Sequence, residues 1–204
     1  RPDHLTVYTG FTEMGQGLLT VLQQVVCHET GLAPSIVDVV VSTDRPVECG
    51  MTTASRATSL VGHAVIDACI FFNDDYQTLS LKEMEGREYL GCWSFDLTSP
   101  IGQEQEGVGH LTHYSYSYAA QLVTLDNKGE IKKVYAAHDA GRIMNPTLFE
   151  GQIEGAIHMG LGYAISEHLP MKDGYLLSER LGSCGILRSK EMPPVEVIGI
   201  EVPD

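Results

Sequence analysis

Basic residues are scarce in this chain. Lys and Arg number 13 against 27 Asp and Glu, a formal net charge of −14 over 204 residues. That balance excludes a nucleic-acid binder, whose affinity rests on Lys and Arg neutralising phosphates. It argues equally against docking on anionic lipid. Long apolar runs are missing as well. Gly or a charged residue interrupts each one, so the sequence predicts no membrane span. No basic-then-apolar leader opens the chain. Cysteine pairs are absent too. Cys27, Cys49, Cys69, Cys92 and Cys184 are odd in number and widely spaced, with no C-x-x-C. Structural zinc and iron–sulfur ligation find no support there. Free thiols point to a reducing compartment, and the expected location is cytoplasmic. The eight histidines show no metal-ligand spacing, so no metal ligand is expected. There is no G-x-x-x-x-G-K-[ST], no G-x-G-x-x-G after a strand and no G-x-S-x-G, which removes the usual signs of phosphoryl transfer, nicotinamide binding and α/β-hydrolase chemistry.

What is present is a core and a regular alternation of elements. Hydrophobic residues make up 43% of the chain, enough for one full-sized domain or somewhat more. The chain starts Arg1-Pro2-Asp3 and stops at Val202-Pro203-Asp204, and it reads as a fragment of something longer. Leu5 to Thr9 reads as a strand. Leu18, Val21, Leu22, Val25 and Val26 follow helical spacing, and Gly31 ends that helix. Ile36 to Thr43 reads as a strand apolar enough to be buried on both faces. Ser55 to about Leu81 reads as a second helix with Val61, Val65, Cys69 and Phe72 on one stripe. Residues 83–112 are polar and turn-rich, including Gly102 to Gly107, a length that implies function or mobility. His113 to Leu125 and Ile131 to Ala137 flank Asp126-Asn127-Lys128-Gly129, a hairpin signal. Asn145-Pro146 caps a third helix running to about His168. A short strand follows at Tyr175 to Leu177, and Val195 to Val202 is the last. This order predicts an α+β fold with mixed β-sheets and three long helices. Its expected parts are a βαβα segment over 1–82, a loop-rich segment over 83–112 and a ββαββ segment over 113–204.

Three polar helix mouths carry the chemistry. Gly15-Gln16-Gly17 opens the first helix. Glycines there can serve backbone conformation alone, but a glutamine amide also offers donors and an acceptor to a heterocycle edge. Thr52-Thr53-Ala54-Ser55-Arg56 opens the second. Thr53 or Ser55 would make an ordinary N-cap; small side chains beside Arg56 also suit a diphosphate. The third helix holds Gly151, Gly155, Gly160 and Gly162, each costing about 1 kcal/mol relative to Ala. Such residues persist where another backbone or a ligand comes close, and Gln152 sits beside Gly151. Three such mouths suggest one polyanionic ligand held from several sides.

Taken together these segments resemble the large subunit of the molybdenum hydroxylases, the xanthine dehydrogenase and aldehyde oxidase family. The resemblance rests on Gly10-Phe11-Thr12-Glu13-Met14-Gly15-Gln16-Gly17, on Thr53-Ala54-Ser55-Arg56, and on Ala136 to Pro146 followed by Gly151-Gln152-Ile153-Glu154-Gly155. Leu181 to Pro193 is most similar to the bacterial, selenium-dependent xanthine dehydrogenase-like branch. The resemblance implies the family's molybdopterin-binding domain. It implies a molybdopterin cofactor with molybdenum, in its cytosine dinucleotide form in many bacteria. Gln16 and Gln152 would bond the pterin, with Gly15 and Gly17 allowing close approach. Thr53, Ala54, Ser55 and Arg56 would line the metal end and the pyrophosphate region. The implied reaction is hydroxylation at carbon, of a purine or related N-heterocycle, with water as the oxygen source; an aldehyde substrate is the alternative within the family. The implied partners are the first half of the molybdenum subunit and iron–sulfur and FAD-bearing subunits or domains, with a homo-oligomer through exposed apolar surface. The family's base is a glutamate in a Gly-x-Lys-Gly-x-Gly-Glu segment after the last strand, which this chain does not reach. No catalytic residue is therefore expected here, and the fragment alone is expected to be inactive. A reading from another class is a non-catalytic interaction module that kept the fold.

Overall fold

The computed structural model describes residues 3–42, 44–45, 47–94 and 117–202. The glycine-flanked run 102–107, His110 and His113 lie outside the described residues. The chain divides into two compact units, Arg1–Ser115 and Tyr116–Asp204. The described residues form an α+β fold, with three α-helices and small parallel and antiparallel sheets.

In the first unit, β1 (Leu5–Thr9) pairs parallel with β2 (Val37–Val41), in the register Leu5↔Val37 to Thr9↔Val41. A parallel pair needs a crossover, and α1 (Leu18–Thr30) supplies it. Leu18, Val21, Leu22, Val25 and Val26 form the buried stripe of α1. Gly31, at φ 71°, ends the helix in the left-handed region, where glycine escapes the Cβ clash. α2 (Ala57–Tyr76) sets Val61, Val65, Cys69 and Phe72 against the same core. Burial pushes the Cys69 thiol up to about 11, so it is an inert hydrophobe.

Two expectations need correction in this unit. β2 is not buried on both faces: Asp38 is exposed and Val41 is 40% exposed. Among the described residues the sheet has two strands, and solvent reaches Asp38 on one face and Val41, at the strand end, on the other. The second helix starts at Ala57 rather than Ser55 and ends at Tyr76 rather than near Leu81. Ala54 and Ser55 have φ of 54° and 53°, and no helix runs through left-handed backbone.

In the second unit, β3 (Tyr118–Leu125) and β4 (Ile131–Asp139) form the hairpin signalled by Asp126-Asn127-Lys128-Gly129. Asp126 Oδ1 accepts from Lys128 N and Glu130 N, and Gly129 turns the chain at φ 83°. α3 (Pro146–Ile165) then carries the chain across to β7 (Val195–Ile200), which lies parallel to β4 with Val134↔Val195 in register. Between them lies a small hairpin, β5 (Met171–Lys172) with β6 (Tyr175–Leu176). Val134, Ala136 and Ile157 make a small core with Ile131, Ile153, Leu161, Met192 and Val195.

Candidate functional site

The three polar segments share one topological position. Residues 10–17 follow the carboxyl end of β1, residues 42–56 the carboxyl end of β2, and residues 140–145 the carboxyl end of β4. Each strand is paired in parallel, and each segment leads into a helix. Crevices at the carboxyl ends of parallel strands are where open α/β sheets bind ligands.

Within the first unit, two of the segments come together. A Cβ placed on Gly10 would meet Cys49 Sγ at 2.6 Å and the Val47 carbonyl at 3.0 Å. One placed on Gly50 would meet Arg56 Nη2 at 3.1 Å and Phe11 Cζ at 3.7 Å. At Gly10 only a residue without a side chain lets the two loops approach so closely. The unit therefore sets Gly10 and Phe11, at the start of the first segment, against Val47, Cys49 and Gly50 of the second. Gln152 belongs to the second unit, on α3.

The mouth of α1 is filled by the chain itself. Glu13 Oε1 accepts from Gly15 N at 2.7 Å and Gly17 N at 3.0 Å, and Oε2 accepts from Leu19 N at 3.2 Å. Burial pushes this carboxyl up, but the N–H groups of Gly17, Leu19, Gly15 and Leu18 outweigh it and hold it below the ordinary glutamate value. An anion thus already occupies the dipole end of α1. Gln16 is engaged nearby: its Nε2 donates to Thr12 O at 3.0 Å and its Oε1 accepts from Met14 N at 2.6 Å. Of the three mouths in which a polyanion is expected, this one offers a folded amide beside a carboxylate.

The mouth of α2 is the opposite case. Its cap residue is Arg56, with helical backbone and no side-chain cap, so neither Thr53 nor Ser55 caps the helix. Ala54 and Ser55 stand side by side in left-handed backbone, a conformation that costs about 1–3 kcal/mol per non-glycine residue. Thr52 Oγ1 is buried with no hydrogen-bond partner, which polar groups in folded proteins rarely tolerate. The Arg56 guanidinium folds back, donating from Nε and Nη2 to Met51 O at 3.2 and 3.0 Å. Strain, open first-turn donors and an orphaned hydroxyl coincide at one small-residue turn.

On α3, Asn145 Oδ1 accepts from Leu148 N at 3.0 Å, the predicted cap. Gln152 is exposed, and its amide makes no hydrogen bond among the described residues. A Cβ at Gly151, Gly155 or Gly160 would meet no atom of the second unit within 4 Å. Tight packing within the unit therefore does not account for these glycines. Gln152, Ala156 and Gly160 lie four residues apart on one stripe. Ala156 and Gly160 line a cleft of about 340 Å³ against Gln121 and Val123 of β3 and Val134 of β4.

Three side chains join this picture that sequence reasoning did not place among the site residues. Glu13 has a readable signal, an acidic residue two and four positions before the two glycines whose N–H groups it binds. Thr52 opens the predicted segment without being named among its site residues, and its orphaned hydroxyl is visible only in three dimensions. His138 lies next to the end of β4, and its Nε2 is buried without a partner. Among the described residues, no group of three or more His, Cys, Asp or Glu could hold a metal ion. No described helix is long and apolar enough to cross a membrane.

Comparison with known proteins gives these features a family. The molybdopterin cofactor-binding domain family matches residues 2–89 and 83–193. A probable xanthine dehydrogenase subunit of Bacillus subtilis is 28% identical over 97% of this chain, and the chain spans 31% of that relative's length. Quinoline 2-oxidoreductase of Pseudomonas putida has the same fold over the whole chain, with a TM-score of 0.72 at 19% identity and 30% of its own length covered. The aldehyde oxidoreductase of Desulfovibrio desulfuricans aligns with 92% of the chain and 22% of its own, at a TM-score of 0.69 and 25% identity. The chain thus belongs to the molybdopterin cofactor-binding domain family.

Proposed function

We propose that this chain forms one wall of the molybdopterin site of a xanthine dehydrogenase-like molybdenum hydroxylase. The observation that carries this reading is the mouth of α2. A strained Ala54-Ser55 turn, an uncapped helix end and a buried, unpartnered Thr52 hydroxyl fit an anionic ligand bonded by backbone N–H groups and a hydroxyl. Thr53, Ala54, Ser55 and Arg56 hold its charged part. Gly15, Gln16 and Gly17 face its neutral ring, and Gln152 bonds that ring from α3. The Gln16 amide must leave Thr12 and Met14 to do so. When bound, the cofactor supplies the molybdenum dithiolene at which a carbon of the substrate is hydroxylated, with water as the oxygen source. The residues of this chain bind and orient it.

The substrate class is a purine or related N-heterocycle, in keeping with the xanthine dehydrogenases among the relatives. Electrons leave through iron–sulfur clusters and FAD on partner domains or subunits, and the first half of the molybdenum subunit closes the site. The cofactor is the cytosine dinucleotide form, and the complex works in the cytoplasm. The boundaries 1–82, 83–112 and 113–204 describe the parts that the whole subunit assembles.

The test is to produce the full-length subunit in a host that makes the cofactor, and to assay molybdenum and pterin. We expect about one of each per folded subunit, with turnover of a hydroxylatable purine in preference to an aldehyde. Folded full-length protein without pterin would refute the reading and favour an interaction module. Preference for the aldehyde would reassign the substrate.

A further inference from the structure

Glu13 belongs to the Gly10 to Gly17 segment, yet the cofactor reading leaves it without a role toward the ligand. We infer that Glu13 is the positioning residue of this loop, and that it keeps the loop backbone in shape while Gln16 exchanges partners. This inference rests on the cofactor reading proposed above.

The geometry divides the loop into a fixed frame and a movable arm. The frame is the Glu13 carboxylate, which takes three backbone N–H groups: Gly15, Gly17 and Leu19. It ties the turn to the first residues of α1 through both oxygens. Gly15 and Gly17 have φ of 101° and 84°, so each has weak backbone preferences and needs an external constraint. Glu13 supplies that constraint. The arm is Gln16, whose amide closes back on Thr12 O and Met14 N. Were those the only bonds in the turn, releasing Gln16 to a ligand would leave the turn unsupported. With Glu13 in place, the frame survives the exchange and the entropy cost of binding is smaller.

The carboxylate has a second effect. It takes the Gly17 and Leu19 N–H groups at the start of α1 and places a negative charge there, so a phosphate is repelled from this mouth. The loop therefore selects for a neutral, amide-like ring edge, and an anionic group must bind elsewhere. The α2 mouth, with no side-chain cap and an orphaned Thr52 hydroxyl, is left to receive it.

The experiment uses the full-length subunit, produced with cofactor, as wild type, Glu13→Ala, Glu13→Gln and Glu83→Ala. Glu83 is a matched control: its carboxylate accepts from Ser80 N and Ser80 Oγ in a turn of its own. The readouts are pterin content, melting temperature and hydrogen exchange of the peptide covering residues 10–20. We expect Glu13→Ala to exchange roughly fivefold faster or more in that peptide, as the loss of a helix cap implies. It should also lose most of its pterin. Glu13→Gln, which keeps an acceptor, should recover part of both. Glu83→Ala should melt lower with pterin intact. Unchanged exchange in Glu13→Ala overturns the frame, whether or not any cofactor is present. Faster exchange with full pterin overturns the positioning role alone. Wild-type protein lacking pterin overturns the cofactor reading and, with it, the role toward a ligand.

Discussion

Ala54 and Ser55 hold left-handed backbone that asparagine or glycine would hold at less cost. Their small side chains leave the α2 mouth open, and the strain is confined to a turn beside an orphaned hydroxyl. Gln152 is the complementary case, a polar side chain whose amide makes no hydrogen bond among the described residues. If it bonds the pterin, Gln152→Ala in the full-length subunit removes a hydrogen bond worth about 1 kcal/mol, more if a pterin donor is stranded. We expect lower molybdenum occupancy with an unchanged melting temperature for the cofactor-free protein. Full occupancy and full turnover in that variant would remove Gln152 from the site. At this scale the sequence shows where small and polar residues open helices and is silent about how their side chains are held. Gly15 and Gly17 are legible as turn glycines, and both hold positive φ at the mouth of α1. The partners of Gln16 are not legible, because a glutamine amide bonds a ligand or its own loop equally well. Thr52 is not legible either, because burial of one hydroxyl depends on packing between loops distant in sequence.

At the scale of elements, periodicity carries most of the fold. The stripe Leu18, Val21, Leu22, Val25, Val26 marks the bounds of α1, and Asn145-Pro146 marks the start of α3. The start of α2 lies two residues beyond its sequence signal, since Thr53 and Ser55 look like caps and the decisive fact is a pair of backbone angles. β2 looks doubly buried in sequence because a Val-rich run reads the same in a wide sheet and a narrow one. A further contact is invisible in sequence: the segment 90–94 lies along α2. Cys92 N donates to Asp67 Oδ2 at 2.9 Å, and the Trp93 ring stacks on His63 with centroids 4.5 Å apart. Gly91 sits so close that a Cβ would collide with the Ala64 carbonyl and with Ala68. Gly91→Ala should therefore lift this segment from α2 and destabilise the first unit by roughly 1–3 kcal/mol. Trp93 is the chain's single tryptophan, so its emission reports the change directly. A red shift with a lowered melting temperature is expected; unchanged emission would mean that the segment is held by something other than this contact.

At the scale of the whole molecule, exposed apolar surface stands out in the second unit. Tyr163 is 83% exposed, Tyr175 77% and Tyr118 75%, and α3 buries only Ile157 and Gly162 of its twenty residues. A helix apolar around most of its circumference normally has neighbours on more than one side. Together with the chain's 31% share of its relative's length, this bears on what the 204-residue chain does alone. On the cofactor reading proposed above, it would supply part of the contacts to the cofactor, while the entropy lost on immobilising that cofactor is undiminished. We expect the isolated chain to copurify with molybdenum far below one equivalent, measured by elemental analysis, and to self-associate through its apolar faces. Stoichiometric molybdenum in the isolated chain would contradict this.

The parallel pairing of β4 with β7 also sets an order of events in synthesis. The β3–β4 hairpin is local, closed by a tight turn, and such hairpins form within microseconds. β7 pairs with β4 from the far side of α3 and of the β5–β6 hairpin. Until those residues have left the ribosome, one edge of β4 stays unpaired, and translation takes seconds to deliver them. The nascent second unit thus presents an open strand edge for far longer than its hairpin takes to fold, and that interval is when chaperones have most to protect.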